Sequence, residues 1–285
     1  MKKISAICLI AFLSIISSSA LHAQEDYTAY RWKDHWIPAW MEMRGSFLEP
    51  NRFATVYDFK PAWLRLEAGY GGEVARISTV SVGAEGLIWS GLEAESGFRF
   101  PVQTADYFFG FYSIFPLQIW GSNLRPWRMR LRISHISSHL VDGADSIKGG
   151  ASSEYSREFV SLESLFDETE RNSFRLSLGV KYVFHQVMKI EQPFQFPAVL
   201  DVIILKEGWN QLFATISTAA GPTLAEYSAG LTLRTSSSKG SFADLYGEYH
   251  TGRSRYGVYS GLKQDGFELG IRVGPAKELE NESGK

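Results

Sequence analysis

The chain contains a single cysteine, Cys8, and it lies in the first apolar run rather than in the body of the protein. The opening segment "MKKISAICLIAFLSIISSSALHA" carries Lys2 and Lys3, then apolar residues, then small ones. That order predicts a secretory signal peptide over residues 1–23, with cleavage after Ala23 or after Ala20. A lipidated cysteine needs the apolar run ahead of it, and here most of the run follows Cys8. The mature chain therefore has no cysteine, which excludes a disulfide framework. After the signal there is no stretch of roughly 18 consecutive apolar residues, which argues against a transmembrane helix. Charge of one sign is also lacking. Lysine and arginine total 29 against 31 acidic residues, for a net charge of −2. Nucleic acid is thus not an expected partner. No phosphate loop, dinucleotide fingerprint or zinc motif occurs.

What is present is aromatic and glycine-rich: aromatic residues make up 14% of the chain, and glycine numbers 26. An exported, cysteine-free, aromatic chain with no membrane helix points to a transmembrane β-barrel, whose strands alternate apolar-out and polar-in. The alternation recurs along the chain. In "WLRLEAGY", Leu64, Leu66, Ala68 and Tyr70 alternate with Arg65, Glu67 and Gly69. In "FRLSLGVKYVF", Leu176, Leu178, Val180, Tyr182 and Phe184 alternate with Arg175, Ser177, Gly179 and Lys181. "AEYSAGLTLRT", "ADLYGEY" and "FELGIRV" repeat the pattern, with Glu226, Arg234, Asp244, Glu248, Glu268 and Arg272 on the polar sides. Polar faces dense in both signs and in small residues suit a narrow lumen laced with ion pairs. A soluble periplasmic β-sandwich is the competing architecture, with the apolar faces turned to a core.

The fold expected is all-β, a transmembrane antiparallel barrel of about 12 strands in the bacterial outer membrane. Residues 61–275 are assigned to the barrel. Residues 24–60 form a pre-barrel segment, periplasmic or plug-like, with Trp32, Trp36 and Trp40 at helical spacing interrupted by Pro38. The charged tail 276–285 is expected to be disordered. "ADYFFGFYSIFPLQIW" reads as an aromatic-rich strand ending near Pro116, and "SRYGVYSG" as a turn or a short strand.

One stretch departs from the pattern: "RMRLRISHISSHLVDG", residues 128–143. Met129, Leu131 and Ile133 share a face with His135, Ser137 and His139. Arg128, Arg130 and Arg132 share the other. If the apolar residues meet lipid, so do the two histidines and the serine. An imidazole at a lipid boundary is desolvated and needs a partner. A serine hydroxyl needs a base to become a nucleophile, and the base needs a third group to orient it. His135 and His139 both flank Ser137 by two residues, so either could be the base. The next strand, "SEYSREFVSLE", puts Ser156 and Glu158 on the face of Val160 and Leu162, within reach of His135. Ser138, Gly143 or the loop backbone are candidate oxyanion donors.

The H-x-S pattern on a barrel strand, with a polar orienter on the next, resembles two outer-membrane hydrolase families. One is the outer-membrane phospholipase A family, with His, Ser and Asn. The other is the lipid A deacylase family, with His, Ser and Glu. His135 and Ser137 match H-x-S, whereas Ser138 stands where either motif has asparagine. Ser156, before Arg157, takes the phospholipase-like orienting place, and Glu158 the deacylase-like one. A longer resemblance runs through "HISSHLVDG", "YSREFVSL" and "YGEYHTGRSRYGVY". It is to an exported bacterial family catalogued as domain of unknown function 1207. Val141 and Gly143 replace Gly and Glu of that family's pattern, and Asp142 remains. This resemblance implies an outer-membrane location and no particular activity.

Two functions follow. One is a serine esterase acting on phospholipid or lipid A acyl chains, with Ser137 as nucleophile, His135 as base and Glu158 as orienter. The other is a non-enzymatic barrel, either a narrow channel or a structural protein, in which the His-Ser patch is a polar cluster at the membrane surface. Membrane lipids are the expected partners, with a homodimer left open. Calcium is the candidate cofactor, through Asp142, Asp145 and Glu154 of the loop; a metal on His135, His139 and Asp142 is disfavoured by their spacing along a strand. The three arginines are expected to be neutralised by luminal acids such as Glu67, Glu226 and Glu268. His250 is expected in the lumen in a structural role.

Overall fold

The computed structural model describes residues 52–59, 63–93, 95, 99–116, 127–141, 154–167, 174–187, 193–207, 210–220, 225–236, 241–253, 256–259 and 263–275. The expected signal peptide, the three spaced tryptophans, the tail and the loop acids Asp142 and Asp145 lie outside those residues.

Twelve antiparallel strands close on themselves. They are β1 (Arg52–Asp58), β2 (Trp63–Ile77), β3 (Val80–Glu93), β4 (Val102–Pro116), β5 (Trp127–Leu140) and β6 (Glu154–Asp167). The second half comprises β7 (Phe174–Gln186), β8 (Phe194–Glu207), β9 (Asn210–Ala220), β10 (Ala225–Ser236), β11 (Ser241–Arg253) and β12 (Lys263–Pro275). Each strand pairs with its neighbours in sequence, and β1 closes the barrel by pairing with β12. Apart from β1 the strands run 11 to 15 residues, enough for a tilted strand to cross a bilayer. The barrel begins nine residues before the expected position 61, at Arg52. β1 is short, and its alternation of Thr55 and Tyr57 with Val56 and Asp58 is too brief to stand out beside the tryptophans that precede it.

Polarity is inverted relative to a water-soluble core. Phe109, Phe111, Ile133, Leu231 and Ile271 lie on the exposed outer surface, while Arg65, Arg130, Arg132 and Arg272 are wholly or almost wholly buried inside. This excludes the sandwich, whose buried faces would be the apolar ones. The luminal charges are paired. Arg130 Nε lies 2.8 Å from Glu163, and Arg132 Nε 2.6 Å from Glu85. Arg65 grips Glu268 with both terminal nitrogens, at 2.6 and 2.8 Å, and Glu67 with Nε at 2.7 Å. Asp244 receives Nε of Arg234 and of Arg272, each at 2.8 Å. So Arg130 and Arg132 of β5 are neutralised as expected, but by Glu85 and Glu163. Of the acids named from sequence, Glu67 and Glu268 hold Arg65, and Glu226 faces Arg253 at 3.3 Å.

The connections 59–62, 94–101, 141–153, 187–193, 221–224 and 254–262 share one end of the barrel. The connections 78–79, 117–126, 168–173, 208–209 and 237–240 share the other. Outer-membrane barrels keep short turns on the periplasmic side and longer loops outside. The end carrying 141–153 and 254–262 is therefore the extracellular one. Inside that end lies an apolar cluster: Trp63, Leu87, Trp89, Phe108, Ile136, Tyr155, Phe159, Val183 and Tyr256 pack together, all buried. Tyr256 comes from the β11–β12 connection, where Gly257–Tyr259 form a single turn of 3-10 helix rather than a strand. Its ring packs edge-on to Trp63 at 4.7 Å, and the Gly257 N–H donates to Asp106 Oδ1 at 2.8 Å.

Candidate functional site

The departure in β5 falls on the outer face of this extracellular half, on the reverse of the apolar cluster. Three rungs cross β4, β5, β6 and β7. The lowest is Phe111, Ile133, Val160 and Tyr182, all apolar or aromatic. The middle rung is Phe109, His135, Glu158 and His185. The upper one places Tyr107, Ser137 and Ser156 side by side. Directly opposite side chains on one face of an antiparallel pair have Cβ atoms about 4.5–5.5 Å apart. Alternation together with the β5–β6 register therefore brings His135 to Glu158 and Ser137 to Ser156.

The middle rung is bonded. His135 Nδ1 lies 2.7 Å from Glu158 Oε1. His185 Nδ1 contacts the other oxygen, Oε2. On its far side the His135 ring stacks on Phe109, with centroids 4.8 Å apart and planes at 30°. The imidazole is thus fixed by an aromatic face on β4 and a carboxylate on β6. With Nδ1 committed to Glu158, Nε2 is the nitrogen left for a reacting proton. Among the described residues the Ser137 hydroxyl makes no hydrogen bond, to His135 or to any other group.

The other sequence candidates fall as follows. Ser156 stands opposite Ser137 and does not contact His135; the acid at the imidazole is Glu158. His139 is one rung nearer the loop, opposite Glu154, with the Tyr107 ring 6.3 Å away. Ser138 cannot serve on the outer face through its hydroxyl, because the side chain points into the lumen and is fully buried. Gly143, like Asp142 and Asp145, lies outside the described residues, and so does the side chain of Glu154. His185 was not found by sequence reasoning. Phase along β7 assigns it to the lumen, and only a register shift opposite Glu158/Phe159 turns it outward.

Among the described residues, ligand atoms close enough to share an ion occur at Asp58, His250 and Glu268, within 4.8 Å of one another. All three are luminal, which puts His250 on the expected side. Glu268 is already held by Arg65, and Asp58 accepts from Gln264 Nε2 at 3.1 Å. This grouping is separate from the outer-face residues.

An inverted, closed barrel of this kind is stable only where lipid covers its outside. The chain is an outer-membrane β-barrel. No family model matches it, and no curated protein does. Among solved structures it is similar in fold to outer membrane phospholipase A from Escherichia coli, with a TM-score of 0.54 at 13% identity, over 85% of this chain and 98% of that one. The Salmonella typhi outer membrane phospholipase dimer with bound calcium gives 0.52 at 11% identity, over 85% and 98%. The KdgM porin gives 0.43 at 8% identity, over 78% and 96%. The fold and the bacterial outer-membrane location expected from the sequence are thereby borne out.

Proposed function

We propose that this barrel is a serine acyl hydrolase acting on ester-linked lipid acyl chains in the leaflet at its extracellular end. The observation that carries the reading is the 2.7 Å contact of His135 Nδ1 with Glu158 on the lipid-facing side, one rung from Ser137. A barrel that needs only to sit in lipid gains nothing from a carboxylate and two imidazoles on that face. The Escherichia coli and Salmonella typhi proteins with the similar fold are phospholipases, which agrees with a lipid ester as substrate.

In this reading the Ser137 Oγ attacks the ester carbonyl carbon and its proton passes to His135 Nε2. Glu158 accepts the Nδ1 proton in a hydrogen bond and stabilises the imidazolium that forms. Collapse of the tetrahedral intermediate breaks the carbonyl–alkoxy bond, and the imidazolium protonates the departing lipid alcohol. Water then attacks the acyl-serine with the same base. The products are a free fatty acid and a lipid with one acyl chain fewer. The apolar rung of Phe111, Ile133, Val160 and Tyr182 lies on the bilayer side of the polar rungs, where an acyl chain would run.

The test is labelling of detergent-folded protein with a fluorophosphonate probe, beside Ser137→Ala and His135→Ala, with calcium and with chelator. The Salmonella protein's calcium-bound dimer motivates the two metal conditions. Labelling of the wild type that is lost in both variants is expected. An unlabelled wild type under both conditions overturns the reading and leaves a channel or structural barrel.

A further inference from the structure

β7 breaks its own alternation beside Glu158. Arg175, Lys181 and Val183 are buried in the lumen, whereas Leu178, Val180, Tyr182 and Phe184 are exposed outside. On that phase His185 belongs inside. The pairing shifts, however: Val183 stands opposite Phe159 and His185 opposite the very next residue, Glu158. Phe184 is therefore an extra residue on β7. A bulge of this kind re-aims the side chains beyond it. Here it brings His185 out of the lumen and places its Nδ1 on Glu158 Oε2. The His185 side chain is 62% exposed, and among the described residues this carboxylate is its one polar partner.

We propose that His185 is a positioning residue, holding the second oxygen of Glu158 so that the first stays aimed at His135. The inference rests on the acyl-transfer reading above. A carboxylate held through one oxygen can turn about its terminal torsion, which is broad and soft. Glu158 is partly exposed, so water or a headgroup could compete for it. A donor on each oxygen fixes the carboxylate plane. Both imidazoles meet the carboxylate through Nδ1, so a neutral ring donates that N–H and carries its free lone pair on Nε2. For His135 this is the form that can take the Ser137 proton.

The experiment compares the rate of fluorophosphonate labelling of Ser137 in folded wild type, His185→Ala and His185→Asn. Asparagine is chosen because its amide nitrogen can donate from near the Nδ1 position. His185→Ala is expected to slow labelling by about 10- to 100-fold, with the heat-modifiable migration of the folded barrel unchanged. His185→Asn is expected to recover most of the rate. Equal rates in all three proteins, or equal slowing in both variants, would overturn the proposal while leaving Ser137 reactive. An unlabelled wild type would remove the reading beneath it. Nitrogen-15 NMR of histidine-labelled wild type gives a second readout that needs no variant to fold. Nδ1–H tautomers at both His135 and His185 are expected, and an Nε2–H tautomer at His185 would refute the shared-carboxylate geometry.

Discussion

Glu158 is the residue whose position most needs a reason. A charge on the lipid face of a barrel costs about 2–4 kcal/mol at the midplane for a basic group, less for an acidic one, and about 0–1 kcal/mol near the interface. Glu158 sits in the extracellular half and receives an imidazole on each oxygen. Both facts lower the cost, and neither explains why the charge is there. The orienting role proposed above would, and it separates charge from shape. Glu158→Gln keeps the size and one acceptor oxygen but cannot balance an imidazolium. Labelling of Ser137 is expected to fall by about 100-fold or more, with the folded migration retained; an undiminished rate would take Glu158 out of the mechanism. His139 shares the face but not the carboxylate. His139→Ala is expected to label within about tenfold of wild type. Should that variant be silent while His135→Ala still labels, the base is His139. At this scale His135, Ser156 and Glu158 were legible as sharing the outer face, because alternation fixes the face, whereas the β5–β6 register decided that Glu158 meets the imidazole. His185 was not, because a single-residue slip reverses the face of everything beyond it.

The elements behind the site explain how an outer wall is held still. β5 and β6 turn Ile136, Tyr155 and Phe159 inward, where they meet Trp89, Phe108 and Tyr256. The 3-10 turn of the β11–β12 connection closes this cluster. Its Gly257 touches the strands that carry the site: an added Cβ would stand 2.6 Å from Ser138 Cβ, 2.7 Å from Tyr155 Cδ1 and 3.0 Å from Asp106 Oδ1. Ser138 lies between Ser137 and His139, and Tyr155 precedes Ser156. Gly257→Ala therefore cannot be absorbed by a flexible side-chain tip alone. Overpacking of this sort costs about 1–3 kcal/mol. The heat-modifiable transition of the variant should move to lower temperature, with slower Ser137 labelling as the wall shifts. Unchanged values for both would mean that the turn does not dock against β5 and β6. The sequence "SRYGVYSG" left this element open between turn and strand, since its two tyrosines and two glycines fit either. What decides is the Asp106 carboxylate and the Trp63 ring, both contributed by strands more than a hundred residues away.

The molecule as a whole has an inside that bears on the channel alternative. Alternation told which residues point away from lipid; it could not tell whether those residues leave a gap. Here Arg65, Arg130, Arg132 and Arg272 are almost wholly shut off from solvent, and ion pairs of the first three bridge next-but-one strands along the wall. Arg65 of β2 reaches Glu268 of β12, and Arg130 of β5 lies 3.8 Å from Glu85 of β3. At the extracellular end the aromatic cluster and Tyr256 occupy the space instead. Buried pairs of this kind have lost most of their water, and opening a path between them would separate charges that have no replacement partners. A conducting pore would also need the 256–259 turn to leave Trp63 and Asp106. Wild-type protein reconstituted in planar bilayers is accordingly expected to show no steady unitary conductance in molar salt. Tyr256→Ala alone should not create one, because the ion pairs below the turn remain. A persistent ohmic current in the wild type would contradict a filled lumen and move the barrel toward the channel alternative. Absence of current together with a reactive Ser137 would assign the activity to the outer face, where the chain places polar side chains against lipid.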